Sequence, residues 1–202
     1  MMKNHLIRII FRLIAGSLIS HTAVAASSKL PGNLALHISK LHYKHPTRLI
    51  QYYLEVWHLK GPITEKVALS ALEKRFTSAH LCNSGNQANL VLFLEPHIFY
   101  NPQLHVFHSE IIAKVFLNSS PLPDLQSPII SFKKQAQQNG ELSVKPELHI
   151  EKAYAKAMDK IIKQLETDQV FLEALNQAKQ NSADAKTLCT ALDTLPVAKI
   201  FC

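Results

Sequence analysis

The chain has 202 residues, 47% hydrophobic and 18% charged, with 5 Gly, 3 Cys and a formal charge of +7 from 22 Lys and Arg against 15 Asp and Glu. That much apolar material can bury one core, which excludes a disordered tail, while the Gly and Cys counts exclude a collagen-like rod and a dense disulfide scaffold. Where the positive excess lies decides what it means.

Residues 1–25 carry Lys3, Arg8 and Arg12 with no acid, then an apolar stretch from Leu13 to Ile19, then Ala23-Val24-Ala25. A basic start, a short apolar middle and small residues at the −3 and −1 positions predict an export signal cleaved after Ala25. Arg8 and Arg12 interrupt the apolar run, which falls short of the roughly 20 residues a membrane span needs. An uncleaved amphipathic anchor or an Arg-rich organelle presequence is the alternative. Taking those three from 22 leaves 19 basic residues against 15 acidic ones, a mature charge of +4. The remaining Lys residues interleave with Glu, as between Glu147 and Glu166, which predicts solvated helix faces and no nucleic-acid partner. The expected location is the periplasm or the extracellular space, with no stable membrane span after signal cleavage.

Residues 26–46 read as a loose lead-in, with Ser27-Ser28 and Pro31-Gly32 as breakers. A single α+β domain is expected over 47–202. Arg48 to Leu59 alternates Ile50, Tyr52, Leu54 and Val56 with Gln51, Tyr53, Glu55 and Trp57, the period of one strand, ended by Gly61-Pro62. Thr64 to Phe76 predicts a helix, with Glu65 in its first turn and Lys74 and Arg75 in its last. Asn89–Phe99 and Leu104–Leu117 predict an antiparallel hairpin turning on Asn101-Pro102, and Ile129–Gln137 a further strand closed by Asn139-Gly140. Ile150, Ala153, Tyr154, Ala157, Ile161 and Leu165 recur at three and four, predicting a helix from Glu147 to Leu165. A second helix spans about Asp168 to Gln180, and a short one lies in the tail from Ala183 to Cys202. The order β-α-β-β-β-α-α implies a mostly antiparallel sheet of about four strands with amphipathic helices on one face.

Histidine is abundant, 11 in all. A hairpin turning tightly on Asn101-Pro102 sets Glu95 opposite His108 and His97 opposite Val106, so Glu95, His97, His108 and Glu110 share one face. Two imidazoles and a carboxylate suffice as ligands for zinc or copper. A solvated sheet face with one Glu–His cross-strand pair accounts for the same residues. The run His42-Tyr43-Lys44-His45 reads as a solvated loop. Of the three cysteines, Cys189 and Cys202 close the shortest loop and are the expected disulfide, leaving Cys82 free or buried; a link from Cys82 to either is the rival.

There is no G-x-S-x-G, no phosphate-binding glycine loop and no C-x-x-C. No catalytic residue and no resident cofactor is therefore predicted, zinc or copper being the exceptions the histidines leave open. The leading expectation is an exported accessory or binding protein that contacts envelope proteins or a small ligand, with Phe99, Tyr100 and Phe107 near the hairpin tip as the contact surface. The alternatives are a transition-metal-binding protein using His97, His108 and Glu95, and an exported hydrolase with a dispersed site.

Overall fold

The computed structural model describes residues 29–82, 85, 87–119, 121–177 and 183–196; the expected signal at 1–25 and Cys202 lie outside the described residues. Along the chain run β1 (Leu30–Ile38), α1 (Leu41–Lys44), β2 (Thr47–Gln51), β3 (Leu54–His58), α2 (Lys60–Arg75) and β4 (Phe76–Leu81). Then follow β5 (Gln87–Ala88), β6 (Leu90–Asn101), β7 (Val106–Leu117), β8 (Ile130–Asn139), α3 (Pro146–Thr167), α4 (Gln169–Gln177), β9 (Ala183–Asp184) and α5 (Lys186–Leu192). Five strands form one sheet in the order β4–β1–β6–β7–β8. The fold is α+β, but the sheet is mixed: β1 lies parallel to both β4 and β6, and only β6, β7 and β8 are antiparallel.

The largest departure from the sequence expectation is β1, placed in what reads as a loose lead-in. Residues Leu34 to Ile38 are all buried, because this strand is flanked on both edges and covered on both faces. Such strands lack period-two alternation, so the usual signal is missing. Pro31 and Gly32 sit at its start, where the register with β4 shifts between Leu30 and Asn33.

The predicted strand over Arg48–Leu59 is instead a two-stranded hairpin, β2 and β3, turning on Tyr52-Tyr53. The turn reverses the parity: Leu49 pairs with Val56 against the core, whereas Ile50 pairs with Glu55 facing out. Gly61 and Pro62 open α2 rather than ending a strand, as Pro is tolerated in a first helical turn. A side chain at Gly61 would meet the Tyr43 ring at 2.8 Å, so glycine permits that packing.

β7 reads out the two faces of the sheet directly. Ser109, Ile111, Ala113 and Val115 are buried beneath α3, and His108, Glu110, Ile112 and Lys114 project from the other side, half-buried. On the first face α3 contributes Ile150, Tyr154, Met158, Ile161 and Leu165, each worth about 1.5–3 kcal/mol relative to exposure. Ser109 Oγ donates to Ala153 O at 2.7 Å across that contact. The second face is not bare as expected: α5 covers one half of it, packing Leu188, Cys189 and Leu192 on Ala35, Val91, Phe93 and Phe116. The other half carries polar residues.

Candidate functional site

The β6–β7 register puts Asn101 opposite Val106, leaving a four-residue turn in which Asn101 Oδ1 accepts from the N–H groups of Gln103 and Leu104. Relative to the tight turn expected, the pairing moves by four residues. Four is even, so Glu95, His97, His108 and Glu110 still share a face, but their neighbours change. His97 lies opposite Glu110, Glu95 opposite Ile112 and His108 opposite Phe99. Glu95 and His108 are therefore four positions apart along the strands, about 13 Å at the usual rise, and do not meet around one point. Pro96, buried within β6, is tolerated because β1 pairs with β6 only as far as Leu94, so no ladder bond is asked of its nitrogen on that edge.

Each of these side chains has found another neighbour. Glu95, 1% exposed, accepts from Lys114 Nζ at 2.6 Å. Glu110 accepts from Gln135 Nε2 at 2.5 Å and lies 3.4 Å from Lys133 Nζ. His108 stacks flat on Phe99 at 4.4 Å, and His97 meets His42 edge-on at 6.2 Å. His42 is buried in α1, correcting the reading of its segment as a solvated loop. Burial, with Lys60 and His97 adding to it, pushes His42 down to about 3. Burial and then Lys60 lower His97, against Glu110 and Glu95. Burial pushes His58 to about 4, with Glu147 opposing and Lys60 reinforcing. Three neutral, buried imidazoles thus gather about the Lys60 end of α2. Sequence spacing did not reveal them, because α1, β3 and β6 bring them together from distant positions.

Farther down the same face, Cys82 and Cys189 form a disulfide with Cα atoms 6.2 Å apart. This joins the end of β4 to α5 and takes Cys189 away from the expected partner Cys202. His37 stacks on Phe93 at 5.6 Å, with Nε2 3.2 Å from Asp193 Oδ1, and Lys40 Nζ lies 2.9 Å from Oδ2 of the same carboxylate. Burial lowers His37 in spite of that aspartate. His37, Cys82 and Cys189 hold their donor atoms within 4.8 Å of one another. Among the described residues this group, not His97, His108 and Glu95, has the spacing of a metal-ligand set.

The expected contact aromatics divide. Phe107 is fully buried, stacked on His149 at 5.6 Å and tilted against Tyr100 at 4.7 Å, and Tyr100 is itself buried; of the three, Phe99 alone is exposed. The exposed aromatics are instead on β2–β3: Tyr52 is 79% exposed, Tyr53 fully and Trp57 60%, flanked by exposed Ile50, Leu54 and Leu59. Tyr52 has φ 54°, a left-handed conformation that costs a non-glycine residue about 1–2 kcal/mol. Two-residue hairpin turns favour Gly, Asn or Asp there, and the absence of such a residue hid this turn in the sequence. Tyr100 shows what the tip stands beside, since Glu141 of the β8–α3 loop and Tyr52 of the hairpin both act on its hydroxyl. The hairpin tip and the β6–β7 turn, with exposed Leu104, therefore occupy one end of the sheet.

A groove of about 590 Å³ runs between α2 and α3, lined by Lys66, Ser70, Lys74, Arg75, Glu151 and Asp159 among others. Three of its six charged residues are paired, Lys66 with Glu151 at 2.9 Å and Arg75 with Glu166, outside the lining, at 3.4 Å. Ser70 has no histidine beside it in that lining. Among the described residues no helix is long and apolar enough to cross a membrane.

No protein-family model matches the sequence, and no curated protein matches it significantly. Among solved structures, the chain is similar to a DUF330-family protein from Xanthomonas campestris, with TM-score 0.52 and 11% identity over 78% of this chain and 93% of that one. A candidate lipoprotein from Caulobacter crescentus aligns with TM-score 0.29 and 14% identity over 57% of this chain and 80% of that one. The first likeness establishes the fold alone; the second carries no argument.

Proposed function

We propose that this protein is an exported accessory or binding protein of the bacterial cell envelope that docks through the aromatic tip of its β2–β3 hairpin. One observation carries the reading: Tyr52 is at once in a left-handed conformation and exposed, beside a fully exposed Tyr53. The left-handed backbone costs stability, and the exposed rings leave apolar surface in water. Strain and apolar exposure kept together at a projecting turn are features of a contact site. Export is supported by the basic, then apolar, then Ala-Val-Ala start of the sequence and by the disulfide between Cys82 and Cys189. A photo-crosslinking residue placed at Tyr53 in intact cells should yield adducts with an envelope component. The same residue at Glu173, exposed on α4, should yield none; α4 packs its Leu175 against Gly32 near the start of β1. Absence of adducts from both positions would refute the docking reading.

A second reading, transition-metal binding, is favoured by the group His37, Cys82 and Cys189. A dithiol reductant would cleave the disulfide, its own two thiols becoming a disulfide and leaving two cysteine thiols. Those thiols, losing their protons to solvent on binding, form with His37 a soft ligand set suited to Cu(I) or Zn²⁺. Titration of the reduced protein with Co²⁺ should produce a sulfur-to-metal charge-transfer band that is absent from the oxidised protein and from Cys82→Ser. No band in the reduced protein ends this reading.

A further inference from the structure

We infer that the occupant of the hairpin tip is the surface of an anionic lipid bilayer, an inference that rests on the docking reading above and narrows it. Two independent features point to lipid. The first is the kind of side chain: Tyr52, Tyr53 and Trp57 have amphipathic rings, the type that settles at headgroup depth, with Ile50 on the same face as Trp57 to reach the acyl boundary. The second is charge. Between Lys40 and Lys60 the chain carries Lys40, Lys44, Arg48 and Lys60 against one acid, Glu55. That is a net +3 in 21 residues, against +4 for the whole chain after removal of residues 1–25. Lys40 is held by Asp193 at 2.9 Å and Lys60 is half-buried at the base of the hairpin, so the exposed positive charge that this segment offers a surface is chiefly that of Lys44. Glu55 lies 3.3 Å from Arg48 and is offset by it, while Lys44 stands exposed at the end of α1, ahead of β2.

The geometry also fits a surface better than a cleft. The hairpin is a separate two-stranded sheet whose inner face, Leu49 and Val56, seats it on the core. Its tip and outer face carry the rings. A narrow tip can enter the headgroup layer without unfolding anything, and anionic lipid adds about 1 kcal/mol for each Lys or Arg held near the surface.

Trp57 is the chain's one tryptophan and lies on the outer face of the hairpin, so tryptophan-selective excitation reads this element and not the N-terminal segment. That matters because the apolar N-terminal segment could bind vesicles by itself if retained. The protein, recovered from expressing cells in whatever processed form it has, is mixed with phosphatidylglycerol–phosphatidylcholine vesicles and with phosphatidylcholine vesicles alone. The expected result is co-sedimentation with the anionic vesicles, a blue shift of Trp57 emission, and loss of both as salt rises. Tyr52→Ser combined with Tyr53→Ser should weaken partitioning at least about tenfold with unchanged circular dichroism. Lys44→Gln should weaken it about fivefold. An unshifted Trp57, equal partitioning onto phosphatidylcholine alone, or indifference to the double Tyr substitution overturns the inference. If Trp57 is unshifted while a crosslinker at Tyr53 captures an envelope protein in cells, lipid is wrong and docking stands. If neither responds, both are wrong.

Discussion

The two hairpins of this protein carry aromatic residues near their tips and treat them in opposite ways. In β6–β7, α3 packs on β7 and sets His149 against Phe107, with Tyr100 on its other side, so Tyr100 and Phe107 are drawn into the core and only Phe99 looks out. In β2–β3 the strands pair only with each other; one face seats on the core and the rings of Tyr52, Tyr53 and Trp57 are left in solvent. Aromatic content does not mark a contact surface by itself. What leaves an aromatic cluster in solvent is its place on strands that pair only with each other.

The largest test of that contrast is Phe107→Ala against Tyr53→Ser. Phe107 is fully buried between Tyr100 and His149, and its truncation should cost about 3–5 kcal/mol. Tyr53 touches solvent, and its loss should change stability by no more than about 0.5 kcal/mol. Urea unfolding midpoints decide this, and comparable losses for the two variants would erase the distinction.

A second, smaller effect comes with acid. His42 in α1 and His58 at the end of β3 flank the base of the β2–β3 hairpin, held by burial at about 3 and about 4 against an ordinary 6.5. The unfolded chain therefore binds protons that the folded chain refuses. Stability should be complete above about pH 6.5 and decline as pH falls toward 4, by about 1 kcal/mol per pH unit for each histidine. His97 and His37, also lowered, act in the same direction. Amide exchange compared at pH 7 and pH 5, corrected for its intrinsic pH dependence, should show protection lost in β2–β3 before β6–β7. A midpoint constant or rising between those values would mean that these imidazoles are already charged in the folded protein.

Much of this architecture was legible in the residues where one rule acts alone. The helix α3 followed from its three-and-four spacing, and the pairing of β6 with β7 from two apolar runs about a polar turn. What escaped was decided by neighbours distant in sequence. β1 shows no alternation because β4, β6 and helices bury all of Leu34 to Ile38. The β2–β3 turn lacks any Gly, Asn or Pro, so an uninterrupted alternation concealed a reversal at Tyr52-Tyr53. The histidine face was legible as a face but not as a cluster, since an even register error preserves side and changes partners. The pairing of Cys82 with Cys189 needed β4 and α5 to be brought together, which loop length could not foretell.

The smallest stability effect bears most directly on why the tip is built as it is. Tyr52→Asn places at φ 54° a residue that tolerates the left-handed region. If the tyrosine ring makes no compensating contact within the fold, the variant should be more stable by about 1 kcal/mol, a rise in melting temperature of roughly 2–4 °C. Asparagine at the same position should also weaken crosslinking at Tyr53 and the fluorescence response to anionic vesicles, because it removes a ring from the tip. Gain of stability with loss of docking would show that the strain is retained for contact and not for folding. A loss of stability would instead mean that the Tyr52 ring packs usefully against its own chain, beside Tyr100, and would make this hairpin more like β6–β7 than the exposed rings suggest.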